Sequence, residues 1–153
     1  QRLALATVLT LPGAPVIYYG DEVGLAGRSD PDCRRVMPAE QELIEQQILT
    51  RDLVRRIGRT RACSRPLRRG ALRTLLADDE HLVFAREVDD EIAIVALTRR
   101  PTLPVDVPLP PGLTSLVDVV TGETVTPNGT LHVGAEPFGV HVYVAPESGC
   151  APR

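Results

Sequence analysis

The stretch "APVIYYGDEVGLAGRSDPDCRRVM", Ala14 to Met37, decides how this chain is read. It opens on an unbroken apolar run, Val16-Ile17-Tyr18-Tyr19, and stops at Gly20. Apolar residues that do not alternate with polar ones predict a strand covered on both faces, as in parallel sheets. Two carboxylates follow at once, Asp21 and Glu22. A loop then runs from Gly20 to Pro38, with Gly24, Gly27, Asp30, Asp32, Arg34 and Arg35 along it. A loop of that length in a compact domain is either functional or disordered.

Upstream, "QRLALATVLTL", Gln1 to Leu11, reads as a helix already in progress. Leu3, Leu5, Val8, Leu9 and Leu11 leave almost no polar face, so the helix expects neighbours on most sides. No capping residue and no initiator methionine precede it, and the chain is expected to be a fragment of something longer. "LPGAP" then stops the helix, because Pro12 and Pro15 cannot continue it and Gly13 suits a left-handed cap. Downstream, Glu40 to Arg61 is predicted helical. Leu43, Ile44, Ile48, Leu53, Val54 and Ile57 recur near the helical period, with acids leading and arginines trailing, as the helix dipole favours.

From about Ala71 the period changes. "LVFAREV", "IAIVALTR", "LPVDVPLP", "LVDVVTGE", "TLHV" and "GVHVYVA" are short and rich in β-branched residues. Turn residues separate them: Asp89-Asp90, Pro110-Pro111-Gly112, Thr121-Gly122 and Asn128-Gly129, the last predicting a hairpin. The expectation is an antiparallel β-sandwich of about six to eight strands. The switch of period near Arg65-Pro66 places a boundary there, with units 1–66 and 67–148 and a tail at 149–153.

Composition narrows the classes. The chain is 43% hydrophobic and 24% charged, a globular balance, with a net charge of -3 that gives no electrostatic case for nucleic acid or an anionic membrane. All 17 basic residues are arginine, which a GC-rich genome accounts for. No apolar run approaches the ~20 residues of a membrane span. Cys33, Cys63 and Cys150 match neither a disulfide framework nor a zinc site, so reduced structural thiols and a cytoplasmic protein are expected. His81, His132 and His141 lie in separate strands and are expected to be structural. No cofactor and no metal are expected, because Asp21, Asp30 and Asp32 lack a calcium-loop spacing. Asn128-Gly129-Thr130 fits a glycosylation acceptor but is first a turn.

The residues also carry a family resemblance. "LTLPGAPVIYYGDEVGL" resembles the segment around the eighth strand of α-amylase-family glycoside hydrolases. "SDPDCRRVM" is similar to the following loop in the cyclomaltodextrinase, neopullulanase and maltogenic amylase branch. "LVRRIGRTRACSRPLRRG" resembles that family's last barrel helix and its exit, and "LVDVVTGE" a turn of its C-terminal sandwich. The resemblance implies the end of a (β/α)8 barrel (helix, last strand, loop, last helix) followed by a small antiparallel β-sandwich. It implies a retaining enzyme acting on α-glucans or cyclodextrins, in which loops after strands face the cleft. This chain would supply a cleft wall, pair with the missing N-terminal part and be inactive alone. Relatives with α-glucosidase or trehalose-forming activity, and a non-catalytic carbohydrate-binding or structural sandwich, are the alternatives. The loop departs from the family by ending Met37-Pro38-Ala39-Glu40, and the chain has no tryptophan.

Asp21 and Glu22 invite a catalytic reading, since retaining hydrolysis uses two carboxyl groups roughly 5 Å apart. Neighbours leaving a strand point in opposite directions, however, and cannot flank one bond. The resemblance places the catalytic carboxylates on earlier strands, so no catalytic residue is expected here. One of the two carboxylates is expected to accept backbone N–H groups and the other to pair with an arginine, or, for Asp21, to touch substrate. Asp30 and Arg34 match an Asp-Pro-x-Cys-Arg pattern whose acid and base, the resemblance implies, hydrogen-bond a sugar distal to the cleaved bond. Tyr19 and Asp21 join them as candidate substrate-binding residues.

Overall fold

Residues 1–134 and 136–151 are described by a computed structural model. All strand pairing in it is antiparallel. β1 (Ala71–Ala77), β2 (His81–Val88), β3 (Glu91–Thr98), β8 (Val140–Val144), β5 (Leu116–Asp118) and β6 (Thr124–Val125) form one six-stranded sheet in that order. β4 (Val105–Pro108) and β7 (Thr130–Val133) pair separately as a two-stranded sheet. The eight strands match the sandwich expected from residue 71 onward, with one sheet much larger than the other.

The central strands are apolar on both faces because both faces are covered. Along β3, Ile94 and Ala96 turn toward Val107, Leu131 and Val133 of the small sheet. Between them Ala93, Val95 and Leu97 turn the other way, toward helices α1 (Arg2–Thr10), α2 (Glu45–Cys63) and α3 (Arg65–Arg69). Ala6, Leu9, Leu53, Ile57 and Leu67 of those helices share one buried cluster with Phe84, Val142 and Val144 of the sheet. Helices and large sheet are therefore joined by a continuous apolar core. Burying a leucine or isoleucine there contributes about 1.5–3 kcal/mol each.

Several sequence expectations are corrected. Val16 to Tyr19 joins neither sheet; Val16 is 83% and Tyr18 62% exposed. A strand needs a neighbour's N–H and C=O groups, and no described segment offers an edge beside this one. The pattern of a doubly covered strand is met instead by β3. The helix predicted from Glu40 begins at Glu45, after a separate 3-10 turn over Glu40–Glu42. Two side-chain caps divide it: Glu42 accepts the Ala39 N–H at 2.8 Å, and Gln47 accepts the Ile44 N–H at 3.1 Å. α3 was not expected; Ser64 caps it by accepting the Leu67 N–H at 3.3 Å. Asn128-Gly129 does turn, with Gly129 at φ +75°, but it joins β6 to β7 in different sheets and is no hairpin.

The reduced-thiol expectation is also overturned. Cys63 and Cys150 form a disulfide across 87 residues of sequence, with Cα atoms 5.5 Å apart. Spacing could not reveal it, because the fold alone carries the segment after β8 back to the end of α2. Cys33 stays free and exposed. Among the described residues, no helix is long and apolar enough to cross a membrane.

Candidate substrate-facing loop

Gly20 begins the loop in a conformation that favours glycine. Its φ is +93°, and an added Cβ would meet the Leu25 side chain at 2.9 Å. The backbone then closes a 3-10 turn over Asp21–Val23, with Gly24 left-handed at its end. Glu22 is the carboxylate that secures this turn: its Oε2 accepts the Gly20 N–H at 2.7 Å. Glu22 is thus occupied by the main chain. Asp21 is half-buried; its main-chain carbonyl accepts from Gln1 Nε2 at 3.3 Å and from the Gly24 N–H at 3.0 Å, and its N–H donates to the Tyr18 carbonyl at 3.0 Å, with no partner for its side chain among the described residues. The arginine partner expected for the second carboxylate is not found among the described residues.

Farther along, the two aspartates of the loop have different tasks. Asp32 organises the loop. Its Oδ1 accepts from Arg35 Nε at 2.8 Å, and its Oδ2 accepts the Arg28 N–H at 2.9 Å. The Arg35 hydrogen bond first, and the Arg28 N–H second, hold the Asp32 carboxyl below the usual carboxylate range. Asp30 faces outward. It pairs with Arg34 Nε at 3.0 Å, and the two side chains remain 61% and 70% exposed. An ion pair so exposed is worth about 0–1 kcal/mol, too little to account for the shape of the loop. With Nε occupied, both terminal nitrogens of the Arg34 fork and the second Asp30 oxygen are left for another polar group.

Tyr19 reaches this loop from its root. Its hydroxyl donates to the Arg35 carbonyl at 3.1 Å, and its ring lies 5.0 Å from that of Tyr18. The structure thus links Tyr19 to the Asp32–Arg35 staple and brings Asp30 and Arg34 together. Asp21 sits in the separate turn at the start of the loop. Arg35 was named from sequence only as part of the loop; the family motif that picked out Asp30 and Arg34 does not include it. Among the described residues, no group of three or more His, Cys, Asp or Glu is placed to hold a metal ion.

No protein-family model matches the chain. Among curated proteins it is 35% identical over 147 residues to a cyclomaltodextrinase of Geobacillus thermopakistaniensis, a match covering 93% of this chain and 24% of that protein. It is 40% identical over 129 residues to neopullulanase 2 of Thermoactinomyces vulgaris, covering 81% of this chain and 22% of the relative. The chain resembles a segment of the α-amylase-family glycoside hydrolases. The solved structure of the α-amylase from Geobacillus thermoleovorans, complexed with acarbose, superposes with a TM-score of 0.74 at 28% identity, covering 93% of this chain and 32% of that one. The chain spans about a quarter of the length of the curated relatives it matches. These α-glucan-hydrolase relatives bear out the family expectation drawn from the loop motifs.

Proposed function

We propose that this chain is the closing part of a retaining glycoside hydrolase that acts on α-glucans, of the cyclomaltodextrinase or neopullulanase kind. Residues 1–66 complete a (β/α)8 barrel, 67–148 form its C-terminal sandwich, and 149–153 are a tail of which 152–153 lie outside the described residues. The observation that carries this reading is the match of 93% of the chain to about a quarter of a cyclomaltodextrinase. The exposed Val16, Tyr18 and Tyr19 support it, since a neighbouring barrel strand would satisfy both their backbone and their side chains.

In this reading the chain holds sugar and does not cleave it. Glu22 is committed to the Gly20 N–H, so the adjacent Asp21 and Glu22 do not act as a catalytic pair in this reading. The nucleophile and the acid/base belong to the remainder of the enzyme. Arg34 donates from its free fork, and Asp30 accepts, at the vicinal hydroxyls of a sugar away from the cleaved bond. Tyr19 and Asp21 line the approach. The test is hydrolysis. The 153-residue chain should release no reducing sugar from starch, pullulan or cyclodextrin, and the longer protein should release it. Release by the chain alone, abolished by Asp21→Asn or Glu22→Gln, would overturn the assignment.

A further inference from the structure

Two arginines are buried with no carboxylate beside them among the described residues. Arg61 on α2 is 6% exposed and Arg86 on β2 is 1% exposed. Their guanidinium groups donate to main-chain carbonyls instead. Arg61 Nη1 reaches the Leu9 carbonyl at 2.9 Å and the Leu11 carbonyl at 3.1 Å, and its Nη2 reaches Gly13. Arg86 Nη1 reaches Thr10, while its Nε and Nη2 reach the Gly70 carbonyl at 3.1 and 2.8 Å.

Three of these acceptors have a common origin. Leu9, Thr10 and Leu11 close α1, where carbonyls have no intrahelical partner and the helix dipole is negative. The last main-chain bond of the helix runs from the Leu11 N–H to the Thr7 carbonyl at 3.0 Å; Pro12 has no N–H to offer the Leu9 carbonyl and cannot carry the helix on. Two cations from two other elements donate to these carbonyls instead. Burying both is costly, and burial lowers the pKa of each; the charge of Arg61 lowers that of Arg86 further. The gain is placement. Residues 9–13 are the root from which Tyr19 and the 20–38 loop depart. Arg86 also holds Gly70, where α3 turns into β1 and where an added Cβ would meet the Pro66 carbonyl at 2.5 Å.

We propose that Arg61 and Arg86 are positioning residues: a double guanidinium clamp through which α2 and the sandwich set the root of the substrate-facing loop. The link to substrate rests on the reading of that loop given above; the clamp itself does not. Hydrogen exchange on the 153-residue chain tests the clamp. Arg86→Lys keeps the charge and loses the fork. It should raise exchange at Leu11, Asp21, Val23 and Leu25, whose N–H groups bond within this region, about ten- to hundred-fold, with β3 and β8 unchanged. Arg61→Lys approaches the same turn from α2 and serves if the sheet variant does not fold. No change, or an equal rise in β3 and β8, overturns the clamp.

The kinetic arm uses the longer enzyme. Either lysine variant should raise KM for a seven-sugar substrate while kcat holds, and leave a two-sugar substrate unaffected. Equal effects on both substrates, or none, overturn positioning if Asp30→Ala in the same assay does raise KM. If Asp30→Ala changes nothing, the substrate reading of the loop falls, and exchange alone decides the clamp.

Discussion

Breaking the Cys63–Cys150 bond should destabilise the chain substantially, because of what the bond encloses. Its 87-residue loop runs from the end of α2 through every strand of both sheets. The chain-entropy relation for a loop of that size gives about 4–5 kcal/mol at 25 °C, and measured bonds typically contribute about 2–4 kcal/mol. With a urea dependence of about 1–3 kcal/mol per molar, the lower range moves the unfolding midpoint down by about 1–2 M. The melting temperature should fall by roughly 5–15 °C for a chain of this size. Circular dichroism in urea, with and without reductant, reads this directly. Cys63→Ser and Cys150→Ser should each match the reduced wild type, and the double variant should be no worse than either, since one missing sulfur already removes the bond. Cys33→Ser should change nothing, because Cys33 is free and exposed. Coincident midpoints for oxidised and reduced chain, or additive losses in the double variant, would refute the reasoning.

Two further outcomes are expected. His141 Nδ1 lies 2.7 Å from Asp118, a carboxylate that also accepts the Val120 and Val142 N–H groups and the Thr121 hydroxyl, and this hydrogen bond raises the His141 pKa against the opposing effect of burial. A raised folded-state pKa stabilises fully below histidine's ordinary value of about 6.5 and is lost as pH rises through the folded value; urea midpoints should therefore decline above about pH 6.5, and a His141→Gln chain that declines as steeply would exclude this pair as the cause. In the longer enzyme, Asp30→Ala or Arg34→Ala should lower kcat/KM about ten- to hundred-fold on a seven-sugar substrate, the worth of a charged hydrogen bond, and far less on a two-sugar one; steady-state kinetics on both lengths decides, and equal losses would mean that the pair only shapes the loop.

Much of this molecule follows from local pattern, because local pattern is set by local physics. Alternation and β-branching mark the strands from Ala71 onward, the 3.6-residue repeat marks α2, and two prolines end α1 wherever the chain is placed. Asp30 and Arg34 were picked out by the resemblance of their loop motif, and that they pair with each other was shown by the structure. Other features depend on which distant segments the fold brings together. Cys63 and Cys150 carry no mutual signal across 87 residues and meet only because the segment after β8 returns to the end of α2. Arg61 and Arg86 read as two arginines among 17, yet each is buried against carbonyls that lie 16 to 76 residues away in the chain. Val16 to Tyr19 shows the converse. Its composition is that of a covered strand, but a strand is completed by its neighbours' hydrogen bonds, and no described segment supplies them.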